Sequence, residues 1–248
     1  MKTNDDYVVR RRVWDARALL SGIGRTAITM SQPLATHLRT FLWYDLCAES
    51  DAGNLYKVLC CRRAQYSVEF FQFLEAWYLD EMNHAAGFTY LQHLLFSESE
   101  ADVAARAAAR PCDFAALEEF LDDEFLLCTL FAYDEYASVM TYEKDTFYRD
   151  LGSPIFEEWI RRVRADEAIH FGNLIKLIHF NHSDRVHDTR EVIRKIVRIE
   201  KEERSYQGTF LFDHECPHFL VSKDDLESTC ANVVLRRILN DPAARLAT

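Results

Sequence analysis

Two strings, Glu81-Met82-Asn83-His84 and Glu167-Ala168-Ile169-His170, each carry a carboxylate and an imidazole three residues apart. On a helix such a pair shares one face, about one turn apart. An oxygen donor and a nitrogen donor from one turn make half a site for iron or manganese, and two such halves joined by a Glu from each of two other helices can hold a metal pair. The motif alone is weak, because chance supplies on the order of one Glu-x-x-His match in a chain of this composition. A third match, Glu215-Cys216-Pro217-His218, contains a proline that breaks a helix and is set aside.

Spacing strengthens the other two. Glu135 lies 32 residues before Glu167, and their midpoint, residue 151, falls in Asp150-Leu151-Gly152-Ser153-Pro154, the clearest turn in the chain. In an antiparallel helical hairpin, residues equidistant from the turn stand at one height. Glu135 is flanked at helical spacing by Phe131, Ala132, Ser138, Val139 and Tyr142, an inward face on which a carboxylate needs a partner or a metal. The same interval taken back from Glu81 reaches Glu49, with the midpoint in Arg62 to Ser67. Asp45 shares that face one turn earlier and is the alternative ligand.

The set Glu49, Glu81-x-x-His84, Glu135, Glu167-x-x-His170 resembles the ferritin-like di-iron carboxylate superfamily, in its oxygen-activating oxygenase and oxidase branch, over roughly residues 31 to 181. The resemblance implies an all-α, ferritin-like four-helix bundle with a long crossover between two hairpins. It implies two iron ions held by those six residues, with dioxygen as co-substrate. In oxygen-activating members the Asp before each Glu orients the His of the opposite motif. Asp80 would thus support His170, and Asp166 would support His84.

The elements that must position these residues can be read from breakers and caps. A short helix runs from about Val13 to Leu20, and Ser21-Gly22-Ile23-Gly24 breaks it. Ser31-Gln32-Pro33 opens a long segment to about Arg62, in which Ser50-Asp51-Ala52-Gly53-Asn54 is a weak stretch able to interrupt the helix just after Glu49. Ser67 caps a helix to about Phe96. Ser97 to Pro111 suits a partly helical crossover. Asp113 is expected to cap a helix reaching Tyr148, and the next helix is expected from Glu157 to about Phe180. Asp188-Thr189-Arg190-Glu191 has capping-box form and opens a helix to about Arg204. Tyr206 to Val221 reads as irregular or a hairpin, and Asp224 to Asn240 as a final helix. The whole is taken as one domain, 1–248, with additional N- and C-terminal helices and an extension from about residue 182.

Composition agrees. The 248 residues include only seven Gly and five Pro, and 49% are hydrophobic, which favours long helices over sheet or disorder. A formal charge of −11 argues against nucleic acid, and Arg10-Arg11-Arg12 and Arg161-Arg162 read as solvated faces. Seven cysteines without a C-x-x-C fit reduced thiols in the cytoplasm. No apolar run suggests a signal peptide or a membrane span. His179, His182 and His187 read as caps at the end of the fourth bundle helix; the resemblance implies an extra ligand His in some N-oxygenating relatives one turn before the second motif, and Val163 stands there in this chain. Phe70, Phe71, Phe73 and Trp77, with Tyr44, Tyr133 and Tyr142, read as core. Asp213-His214-Glu215 is given no role.

Three functions compete. The first is an enzyme, a di-iron oxidoreductase that hydroxylates, N-oxygenates, desaturates or cleaves a small organic substrate, fed by an external donor of ferredoxin or reductase type. Chain outside residues 31 to 181 could shape its substrate pocket, and a homodimer is compatible with it. The second is an iron-handling or peroxidase protein of ferritin or rubrerythrin type. The third is a metal-free helical interaction protein.

Overall fold

The computed structural model describes residues 7–202 and 222–246, and all its regular structure there is helical. The expectations for Tyr206 to Val221, including Asp213-His214-Glu215 and His218, fall outside the described residues. The helices, in chain order, are α1 (Ala16–Leu20), α2 (Gln32–Cys61), α3 (Val68–Phe96), α4 (Glu100–Ala108), α5 (Glu118–Leu121), α6 (Glu124–Lys144), α7 (Pro154–Asn181), α8 (Thr189–Glu202), α9 (Lys223–Asp225) and α10 (Ala231–Leu239). Four long helices form two hairpins, α2 packed on α3 and α6 packed on α7.

Local signals explain most boundaries. Ser31 caps α2 with Pro33 in its first turn, Ser67 caps α3, and Ser153 caps α7, which begins at Pro154 rather than Glu157. The weak stretch from Ser50 to Asn54 does not break α2. Ala52 and Leu55 are buried there, and packing outweighs the propensity of Gly53. Asp15 caps α1, so that helix starts at Ala16, not Val13. Asp113 accepts a hydrogen bond from the Ala115 N–H within a short turn. The long helix is capped by Asp123 instead and ends at Lys144, before a 3-10 segment, Thr146–Leu151. The expected capping box at Asp188 is absent. A 3-10 turn, Val186–Asp188, runs straight into α8, and the Thr189 hydroxyl donates to the Val186 carbonyl. The final helix is divided: a π-turn, Leu226–Cys230, separates α9 from α10.

The apolar core comes in two clusters. One contains Leu55, Leu59, Phe70, Trp77, Phe131, Leu174 and Ile178, together with Val192, Ile196 and Leu235 from α8 and α10. The other contains Leu38, Leu42, Phe88, Leu91, Tyr142, Phe156, Trp159 and Val163. Each long helix passes from one cluster to the other. The crossing points are Glu49, Glu81 with His84, Glu135, and Glu167 with His170, all buried. A layer of carboxylates and imidazoles thus lies between two apolar clusters, which costs free energy unless its charges are compensated.

Candidate metal centre

Glu49 on α2, Glu81 and His84 on α3, Glu135 on α6, and Glu167 and His170 on α7 meet in that layer. They fall into two groups, Glu49 with Glu81, His84 and Glu167, and Glu81 with Glu135, Glu167 and His170. Within each group the potential ligand atoms lie within 4.8 Å of one another. Glu81 and Glu167 belong to both. His84 Nδ1 stands 3.3 Å from Glu49, 3.7 Å from Glu81 and 3.3 Å from Glu167. His170 Nδ1 stands 3.1 Å from Glu135, 3.2 Å from Glu81 and 3.3 Å from Glu167. The arrangement is that of two adjoining sites that share two carboxylates.

Comparison of the chain with protein-family models, with curated proteins and with solved structures found no match. The reading of this cluster therefore rests on its geometry and chemistry.

The outward nitrogens are held crosswise. His84 Nε2 lies 3.3 Å from Asp166, and His170 Nε2 lies 3.3 Å from Asp80. Each Asp precedes the Glu of the opposite motif, so each helix orients the imidazole of its neighbour and turns Nδ1 inward. Asp45 is buried one turn before Glu49, yet it belongs to neither ligand group; Glu49 does.

The N-terminal segment supplies contacts that the sequence pattern did not reveal. Arg10 and Arg11 are exposed, as a solvated face requires, yet Arg11 Nε also donates to Asp80 at 2.7 Å, a contact that the reading of this run did not include. The Trp14 indole N–H donates to Asp166 at 2.5 Å. The Ala16 N–H donates to the Asn83 side chain, while Asn173 exchanges hydrogen bonds with the backbone of Arg10. Trp77 and Tyr142, read as core, are buried but also touch the layer. The Trp77 indole donates to Glu135 at 2.6 Å and the Tyr142 hydroxyl donates to Glu49 at 2.5 Å. Tyr133 is fully buried, and Tyr44 is exposed. No periodicity distinguishes a core aromatic from one whose polar end reaches a carboxylate.

His182 is the C-cap of α7, its backbone N–H donating to the Ile178 carbonyl, and its side chain does more. Its Nε2 lies 3.0 Å from Glu124, which also accepts from Ser67 and Asn181 and so ties the start of α6 to the start of α3 and the end of α7. His187 lies beside Asp188, and His179 lines a surface cavity against α10.

Burial pushes the carboxyls of Glu49 and Glu135 well above the ordinary carboxylate range, and the neighbouring carboxylates Glu81 and Glu167 add to this. Burial opposes charge on His84 and His170, but Glu49 and Glu135 facing them, with the Asp partners, raise both well above the usual histidine value. Glu81 and Glu167 are held below the ordinary range against their burial by hydrogen bonds within the cluster. A carboxylate oxygen on each of Glu49, Glu81 and Glu167, and Nδ1 of His84, are buried without a hydrogen-bond partner. Four carboxylates and two neutral imidazoles would carry four negative charges, which two dications cancel. The donor set and the orphaned inward atoms fit a metal pair.

A cavity of about 30 Å³ lies against the cluster, bounded by Ala48, Ala52, Trp77, Ser138 and Tyr142. That is about the share of one water molecule in the liquid.

Proposed function

We propose that the chain is a non-haem di-iron oxidase or oxygenase built on a ferritin-like four-helix bundle, and that it uses dioxygen to oxidise a small organic molecule. The observation that carries this is the pair of adjoining three-Glu, one-His groups sharing Glu81 and Glu167. Glu49 and His84 would serve one ion and Glu135 and His170 the other, with Glu81 and Glu167 within reach of both. Bound there, an iron pair supplies redox chemistry with dioxygen, as hard oxygen donors and imidazoles suit iron.

The chain's own residues do the rest. Asp80 and Asp166 hold the imidazole tautomers and fix ring orientation. Trp77 and Tyr142 hold Glu135 and Glu49 in place by hydrogen bonds to their carboxylates. The apolar clusters on either side keep water from the layer. Electrons would come from an external donor of ferredoxin or reductase type. None of the described helices is long and apolar enough to cross a membrane.

The small cavity beside the ligands favours a second reading, an iron-handling or peroxidase protein that needs room only for a small inorganic molecule. Anaerobic loading with ferrous iron is expected to give two irons per chain, one for each ligand group. A stoichiometry far below that would overturn both readings. Oxygen consumption stimulated by an organic compound identifies the oxygenase. Consumption sustained by ferrous iron or peroxide alone identifies the second reading.

A further inference from the structure

Apart from the metal layer, a surface cavity of about 650 Å³ lies between α7 and α10, a volume within the range of small-molecule sites. None of the six candidate metal ligands lines it. Its walls are one face of each helix. On α7 these are Ile175 and His179, and on α10 Val233, Arg236 and Arg237, followed by the cap Asn240. Each wall thus carries an apolar residue and, one turn further along, a basic one. His179 and Arg237 are exposed and Arg236 is half-buried, so a ligand arriving from solvent can meet all three.

The basic groups are not neutralised by the lining. Its one acid, Asp241, accepts a hydrogen bond from the Ala243 N–H and pairs with neither arginine. Arg236 gives its Nε to the Ala244 carbonyl, a neutral acceptor, which leaves its other N–H groups. The other outer cavities differ. Beside the α6–α7 turn, Arg161, Arg164 and Arg149 pair with Glu158, Glu143 and Glu157. Beside α8, Arg185 and Lys195 pair with Asp123 and Glu119. In a chain of formal charge −11, two guanidinium groups and an imidazole gathered without an acidic partner make a place for an anion. A guanidinium fork takes a carboxylate through two parallel N–H donors. The arginines also stand in the last turn of α10, where a cation balances the negative end of a helix. That role needs neither the cavity nor His179 on another helix.

We propose that this cavity binds a small amphipathic carboxylate, its head held by Arg236, Arg237 and His179 and its apolar body laid on Ile175 and Val233. The site joins the C-terminal helix to the fourth bundle helix, and it does not depend on the reading of the metal layer.

The test is calorimetric and saturation-transfer NMR titration of the full chain, before and after loading with iron, with octanoate, octanol and octylammonium. Octanoate is expected to bind both forms alike. The other two are expected to bind at least about ten-fold more weakly, the usual effect of losing a hydrogen bond between charged groups. Arg237→Gln is expected to weaken octanoate about ten-fold and His179→Gln by less, while Arg161→Gln, on the cavity beside the α6–α7 turn, leaves it unchanged. Equal binding of octanol, a preference for octylammonium, or unchanged affinity in both Arg237→Gln and His179→Gln would overturn the proposal. So would an equal loss in Arg161→Gln, or binding seen only after iron loading, which would place the carboxylate at the metals. No octanoate binding to the unmodified chain, with a lowered unfolding midpoint in Arg237→Gln, would leave the arginines their role at the helix end and remove the site.

Discussion

At the scale of single residues, the outcome depends on which atom of a side chain is turned inward. His84 and His170 present Nδ1 to the carboxylates because Asp166 and Asp80 occupy Nε2. Glu135 belongs to one group only and is reached by Trp77 and His170. Glu135→Ala is expected to abolish binding of the metal pair, read as iron per chain, while helical circular dichroism stays largely intact. Unchanged iron stoichiometry would remove Glu135 from the ligand set. The fold should survive because the layer is a cost in the absence of metal, and deleting one buried carboxylate lowers that cost.

At the scale of elements, two contacts hold the long helices in register. On α3, Gly87 lets the Trp159 ring of α7 lie against the backbone; an added Cβ would fall 2.1 Å from the indole, with Ala16 at 3.0 Å. Trp159 is fully buried, so it has little room to give. Gly87→Ala is expected to lower stability by about 1–3 kcal/mol, measured by denaturant unfolding, despite the better helix propensity of alanine. Glu124 makes the other contact. Burial would raise its carboxyl, but hydrogen bonds from His182, Ser67 and Asn181 hold it below the ordinary range. Its folded form thus binds a proton less readily than its unfolded form. The stabilisation is complete above the ordinary carboxylate range and is lost as pH falls through the lowered folded value. Glu124→Gln is expected to cost about 1–3 kcal/mol near neutral pH, with the gap to the unmodified chain narrowing in acid. A gap independent of pH would show that geometry, not charge, is what the clamp needs.

At the scale of the whole molecule, the segment before α1 acts as a strap across the candidate metal layer. Arg11 and Trp14 engage the two aspartates behind the imidazoles, and Tyr7 and Arg10 tie the strap to Asn173. A chain lacking residues 1–14 is expected to keep its long helices, since only the partly buried Tyr7, Val9 and Trp14 of the strap pack against the cores, and to bind metal about 10–100-fold more weakly, as loss of groups that orient ligands does. Metal titration monitored beside circular dichroism checks both halves. Unaltered affinity would make the strap a cover and nothing more.

What could be read in the sequence follows from locality. Caps at Ser31, Ser67 and Ser153 act within one turn, so the starts of α2, α3 and α7 were legible or nearly so. The heights of Glu135 and Glu167 followed from a turn between them, because a hairpin of fixed rise has only one register. Elsewhere local signals competed, and packing decided. Gly53 sits in an unbroken helix because its neighbours are buried, and Asp123 outcompeted Asp113 as the cap of α6. Arg11, Trp14, Trp77 and Tyr142 owe their roles to contacts across 58 to 152 residues of chain, and nothing local in the sequence encodes these pairings. The sequence by itself determined that the chain is helical and how the Glu and His are spaced, since both depend on periodicity along one chain. Only the tertiary structure decided that Glu81 and Glu167 are shared, that Glu49 rather than Asp45 joins the cluster, and that the space beside it is about 30 Å³. These depend on how far apart four helices stand, a distance set by side-chain packing between them.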